Sequence, residues 1–173
     1  MSMKLKTNFH SSYLLVLGLF VLLSSCGFYS LTGAVIEGKT INIHFIDNKS
    51  RTIAPALSAT FTEKLRQHIT SLSSLALVDN DKSDYDLKGS INDYRVSVAS
   101  IQGNETSAKN RLTITVNIDF INRIDEKKNF SQSFSRFADF DANENFQTVE
   151  NTLIEEITDQ LKDDIFNKAF VNW

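Results

Sequence analysis

The sequence predicts an α+β domain, a two-layer sandwich with two helices packed on one face of a four-stranded mixed β-sheet. Three observations lead there. Four stretches alternate apolar and polar residues with period two, as half-buried strands do. Two stretches repeat apolar residues every three or four positions, which draws one stripe along a helix. Their order is strand, helix, a meander of strands, helix, and two one-sided helices need one apolar surface to cover.

A leader precedes the domain. Lys4 and Lys6 are its positive end, and Tyr13 to Leu23 is an apolar run interrupted only by Gly18. That run falls short of the ~20 apolar residues of a spanning helix and suits the core of a signal peptide. Leu23-Ser24-Ser25-Cys26 closes it in the manner of a lipobox. On this reading residues 1–25 are removed, Cys26 becomes a lipidated N-terminus, and residues 26–173 form one domain whose first part, 26–38, is a tether. An ordinary secretory signal with a chance cysteine is the alternative. Cys26 is the only cysteine, so no disulfide can form within the chain. A bare thiol would be a liability in an oxidising periplasm, and lipidation removes it. Two or three acyl chains meet the requirement of more than one chain for stable anchoring.

A domain of this length can bury about 68–70% of the surface of its unfolded chain. The whole chain carries −3, and losing Lys4 and Lys6 takes the mature part to about −5. Mild acidity argues against general nucleic-acid binding. All but two of the 13 phenylalanines lie beyond the leader, so an aromatic-rich core is expected.

The first strand runs from Lys39 to Ile46, with Ile41, Ile43 and Phe45 inward and Asn42 and His44 outward. Asp47 to Ser50 is turn chemistry. Pro55 opens a helix, where its missing N–H costs nothing. Leu57, Phe61, Leu65, Ile69 and Leu72 form its stripe, with Thr62, Lys64 and Gln67 off it, which bounds the helix at Pro55 and Leu72. Leu75 to Val78 is a short apolar run with strand character. From Tyr85 to Ile101 alternation resumes but slips phase: Tyr85, Leu87 and Ile91 share one parity and Tyr94, Val96 and Val98 the other. A β-bulge near Asn92-Asp93 produces such a slip. Gln102 to Ser107 is a polar hairpin connection. Leu112, Ile114, Val116, Ile118 and Phe120 alternate with Thr113, Thr115, Asn117 and Asp119, giving a strand with one dry face and one wet face. Asp125 to Lys128 turns the chain, and Phe130, Phe134, Ala138 and Phe140 mark the last strand, opposite Ser131, Ser133 and Ser135. Asp141 to Glu144 has capping-box spacing. Val149, Leu153, Ile157, Leu161 and Ile165 then repeat every four residues in a second helix of about 25 residues ending near Trp173.

Helices on one face leave the other face of the sheet bare. By parity it carries Lys88, Ser90, Arg95, Ser97, Arg111, Thr113, Thr115, Asn117, Arg123, Ser131, Ser133 and Ser135. This is either a solvated face or a polar docking surface for something anionic or hydroxyl-rich. Arg136 shares parity with Phe130 and Phe134, so either a second bulge turns it outward or it is buried and paired.

No catalytic set, zinc spacing, phosphate loop or dinucleotide fingerprint is present, so neither an enzyme nor a cofactor is expected. Asp79-Asn80-Asp81 starts like a calcium loop but lacks its glycine and closing glutamate.

Five stretches carry a family likeness. They are Cys26 to Ala34, Thr60 to Arg66, Asn110 to Asn117, Lys127 to Arg136 and Phe166 to Trp173. In this order and spacing they resemble the lipopolysaccharide-assembly lipoproteins, the LptE-like plug subunits of the outer-membrane lipopolysaccharide translocon. The resemblance spans essentially the whole mature chain. It implies an outer-membrane lipoprotein, lipid-anchored on the periplasmic side, that sits inside a β-barrel partner and helps to place lipopolysaccharide at the cell surface. Gly27 after Cys26, with no acidic run behind it, agrees with outer-membrane placement by likeness to other bacterial lipoproteins. Phosphates and sugars suit guanidinium, ammonium and hydroxyl groups. Arg95, Lys109, Arg111 and Arg123 are therefore the candidates for contact with an anionic ligand or with the barrel. The rivals are a periplasm-facing lipoprotein that binds a soluble ligand or peptidoglycan, and a pilot or assembly factor for another outer-membrane complex.

Overall fold

A computed structural model describes residues 36–171 except 53 and 100–107. Cys26, most of the tether and the hairpin connection at 102–107 lie outside the described residues. The sheet contains β1 (Thr40–Ile43), β2 (Asp47–Asn48), β3 (Ala76–Leu77), β4 (Tyr85–Val98), β5 (Lys109–Asn122) and β6 (Phe130–Asp141). Its order is β3-β1-β4-β5-β6, with β2 pairing beside β1 on β4. The expected four strands are β1, β4, β5 and β6. The correction is the addition of β2 and β3, each only two residues long. β3 falls inside the Leu75–Val78 run that had strand character, whereas β2 falls in the stretch read as turn chemistry, where two residues carry no alternation to read. The sheet is mixed, as expected. β1 lies parallel to β3 and β4, while β4, β5 and β6 form an antiparallel meander.

Helix α1 (Pro55–Leu72) has the bounds its stripe predicts, with proline in its first turn. Leu57, Phe61, Leu65 and Ile69 are fully buried, whereas Leu72 is exposed. Thr62, expected off the stripe, is buried as well. Its hydroxyl accepts the Ile46 N–H at 3.0 Å. One turn further on, the Arg66 guanidinium donates twice to the Ile43 carbonyl, at 3.2 and 2.7 Å. These bonds satisfy the backbone where β1 stops, so alternation does not continue to Ile46. In consequence Phe45 turns outward and Ile46 inward, the reverse of the parity reading. Thr62→Val would leave the buried Ile46 N–H unpaired. It is expected to lower stability by about 1–3 kcal/mol in urea unfolding, with Thr62→Ser close to wild type.

Helix α2 (Phe146–Phe166) starts later than the capping-box spacing suggested. Asn145 is the cap, its side chain accepting the Gln147 N–H at 3.0 Å. Asp141 instead accepts from the Asn143 N–H within the preceding turn. A wide π turn (Asn167–Val171) follows α2 and carries Ala169 and Phe170 into the core.

Both helices bury their stripes in one core with the inward residues of the sheet, and they pack against each other. At the end where the chain enters, Phe120 stacks between Tyr85 and Phe130, and Phe170 meets it edge-on. The Gly38 N–H donates to the Tyr85 hydroxyl at 3.0 Å, and a Cβ at Gly38 would overlap the Tyr85 ring. Along β5, Leu112, Ile114, Val116, Ile118 and Phe120 are buried under the helices. The β4–β5 register shifts between Ile91 and Asp93, where the parity slips.

Candidate functional site

The bulge keeps β4 in phase with β5 on both sides of the slip, so side chains line up in rows across the face that no helix among the described residues covers, hereafter the helix-free face. Ser97 lies beside Arg111 and Asp139, and Arg95 beside Thr113 and Phe137. Asp93, Thr115 and Ser135 form the next row, then Ser90, Asn117 and Ser133, then Lys88, Asp119 and Ser131. Hydroxyls and amides bond across the strands: Thr115 and Ser135 at 2.9 Å, and Ser133 donating to Asn117 at 3.2 Å.

The arginines of this face are partnered. Arg111 donates to both carboxylate oxygens of Asp139, at 2.6 and 2.8 Å, and lies 3.5 Å above the Phe137 ring. That hydrogen bond holds the Asp139 carboxyl below its ordinary value, against the effect of burial, with the charge of Lys109 assisting. Arg95 pairs with Asp93. Lys109 is exposed at the start of β5, and its ammonium makes no ion pair among the described residues.

Arg123 lies just past β5, and its guanidinium donates to the Ser83 carbonyl at 2.6 Å and to Asp86 at 3.1 Å. Asp86 is 1% exposed and is the hub of this end of the face. His44 Nε2 lies 2.8 Å from one of its oxygens, and Lys88 lies 3.6 Å from the other. The Asn42 amide adjoins His44 at 3.2 Å, which explains why Asn42 is buried on a strand position expected to be wet. Potential ligand atoms of His44, Asp81 and Asp86 fall within 4.8 Å of one another, a grouping with no trace in sequence spacing. Arg123 and Lys88 already balance Asp86 and would repel a divalent ion, so this cluster is a structural ion network.

The structure thus divides the four candidates. Arg95, Lys109 and Arg111 share the hairpin end of the face, and Arg123 sits roughly 40 Å away at the spacing of extended strands. They do not converge on one anion pocket. Sequence parity found the cations, the hydroxyls and Asp119 but passed over Asp93 and Asp139 on the same rows, although the parity of Asp139 was there to be read. It also passed over Phe137 and Ile121, which are exposed on this face.

Arg136 settles on the other side. Its register with Ile114 shows no bulge, so it points toward the helix layer at the outer edge of β6. There it grips Asp164 of α2 through two bonds of 2.6 Å. It is paired, as one expectation held, but exposed, because among the described residues no strand lies beyond β6.

Two of the carboxylates give a pH prediction. Asp84 accepts the Lys39 and Thr40 N–H groups, and those backbone bonds lower its pKa, as Arg111 lowers that of Asp139. A carboxyl lowered on folding stabilises the fold above its ordinary value of 3.8 and loses that contribution as pH falls through the folded value. Stability measured by urea midpoints is expected to hold level above pH about 5 and decline below about 4. Asp139→Asn is expected to flatten part of that decline.

The family model described as Lipopolysaccharide-assembly (LptE) matches residues 38–169. The chain belongs to the LptE family. Membership makes it a lipoprotein of lipopolysaccharide assembly, in a family that is non-enzymatic and associated with the outer membrane. In fold it is similar to a minor lipoprotein from Acinetobacter baumannii, with TM-score 0.51 and 14% identity over 77% of this chain and 93% of that one. A hypothetical protein from Chlamydia trachomatis is similar at TM-score 0.50 and 7% identity, over 76% and 98% of the two chains. Likeness at these identities concerns the fold alone. No curated protein matches the LptE chain in sequence. Among the described residues, no helix of this LptE protein is long and apolar enough to cross a membrane.

Proposed function

We propose that this LptE domain plugs the lumen of an outer-membrane β-barrel partner and presents the helix-free face of its sheet to the lumen wall. Cys26 carries the lipid that holds the domain at the membrane on the periplasmic side. The observation that carries this reading is the composition of that face: rows of hydroxyls and amides, with arginines matched to aspartates. The lumens of outer-membrane barrels are polar. A partner wall rich in hydrogen-bonding groups suits such a surface, whereas a face with a strong net charge would suit a single charged ligand. In this reading Arg95, Lys109, Arg111 and Arg123 contact the wall or the phosphates and sugars of lipopolysaccharide at separate points. Lys109 is the most available of them.

Depletion of the protein followed by surface labelling of lipopolysaccharide tests the role. Reduced surface display is expected, and unchanged display after full depletion would remove it. The lipid anchor has its own test. Cys26→Ala is expected to release the protein from the outer membrane when the barrel is absent, and retention there would contradict the lipidation of Cys26.

A further inference from the structure

The two edges of the sheet are treated differently. On one side the terminal strand β3 is two residues long. On the other, β6 runs for 12 residues, and its register with β5 continues from Lys109↔Asp141 to Phe120↔Phe130 without a shift. Phe130 to Asp141 contains no proline and no lysine. Protected edges are kept short, bulged, or studded with proline and lysine, because a bare edge offers a row of unpaired N–H and C=O groups. β6 is neither short nor bulged and has neither proline nor lysine; its one inward-pointing cation, Arg136, is held by Asp164 of α2, and among the described residues no backbone group bonds to the outer side of β6.

Helix α2 runs alongside this edge, and the two define hollows at either end. At the C-terminal end of β6 a hollow of about 410 Å³ is lined by the apolar Phe140, Val149 and Leu153 and by four carboxylates, Asp139, Asp141, Glu144 and Glu156, which outnumber its one cation, Lys109. Nearer the other end a second hollow of about 400 Å³ is lined by Gln132, Ser133, Ser135, Asn167 and Lys168 together with the Arg136–Asp164 pair. A free strand edge flanked by a helix is the arrangement used in strand addition. There main-chain bonds supply affinity, and hollows for alternate side chains supply selectivity.

We infer that the outer edge of β6, beside α2, receives an extended segment of a partner polypeptide as an added antiparallel strand, with a basic residue at the segment's N-terminal end. Antiparallel pairing continues the β4–β5–β6 meander and is the slightly more stable arrangement per residue. It sets the start of the incoming segment beside Asp141, Glu144 and Glu156. The aliphatic stem of an arginine or lysine there would cover Phe140 and Leu153 while its head meets the carboxylates. A closed barrel wall has no free edge to offer, so the segment is a loop or terminus. The inference is independent of the barrel reading and is tested without a barrel.

The test uses the full chain in mild detergent, with amide exchange followed residue by residue. The probe is a capped ten-residue peptide alternating threonine and valine, with arginine at its N-terminal end, and a twin carrying glutamate there. In the free protein alternate amides from Phe130 to Asp141 are expected to exchange fast. With the arginine peptide that fast set is expected to slow at least tenfold, and the glutamate twin is expected to bind at least fivefold more weakly. A Glu144→Lys, Glu156→Lys double variant is expected to reverse the preference. Uniform protection of β6 in the free protein, protection gained elsewhere, or equal binding of the twins by wild type would overturn the proposal. So would pairing of β6 with a second copy of the chain, seen as a dimer by light scattering.

Discussion

Asp86→Ala is expected to remove about 1–3 kcal/mol of folding stability, a sizeable share of the 5–15 kcal/mol typical of a domain. Asp86 is almost wholly out of solvent, and its two oxygens serve three basic side chains: His44 on one, Arg123 and Lys88 on the other. Alanine removes the anion and leaves the cations together with no counter-charge. The loss also reaches the loop before β4, because Arg123 bridges Asp86 to the Ser83 carbonyl. Asp86→Asn keeps an acceptor oxygen but loses the charge, so an intermediate loss is expected. Urea unfolding at neutral pH measures both. A loss below about 1 kcal/mol for alanine would show that Asp86 is not the hub described.

The second large effect concerns function. Thr115→Trp with Asn117→Trp is expected to cut recovery of the barrel partner at least tenfold through a C-terminal tag in mild detergent. The same change is expected to move stability by less than about 1 kcal/mol. Both residues lie mid-strand on β5 and point away from the helices, each bonded across to a serine of β6. Two indoles there would raise a wedge from a flat polar face and cover the hydroxyl rows. Thr115→Ser retains the hydroxyl and is expected to leave recovery unchanged. Full recovery with the tryptophan pair would mean that the partner does not meet this face.

Most of the architecture was legible in the sequence because long elements repeat their pattern many times. α1 could be bounded from proline and a four-residue stripe, and the bulge in β4 from one change of parity. Reading failed where tertiary contacts override local pattern. Arg66 and Thr62 end β1 early and exchange the roles of Phe45 and Ile46, and nothing in residues 40–46 announces that. The same holds for Asn42, whose burial follows from Asp86 more than 40 positions away. The open face was half legible. Its hydroxyls and cations were found, but the aspartates that answer the arginines were not, so the face looked more basic than it is. The pairings Arg111–Asp139 and Arg136–Asp164 depend on strand register and helix placement, which composition does not carry.

The measurement that bears most directly on the account is in-cell photo-crosslinking from position 117, at the centre of the helix-free face. The account predicts a stoichiometric adduct between this position and the outer-membrane barrel of lipopolysaccharide assembly. Absence of any barrel adduct from position 117, in a variant that folds and reaches the membrane, would contradict it.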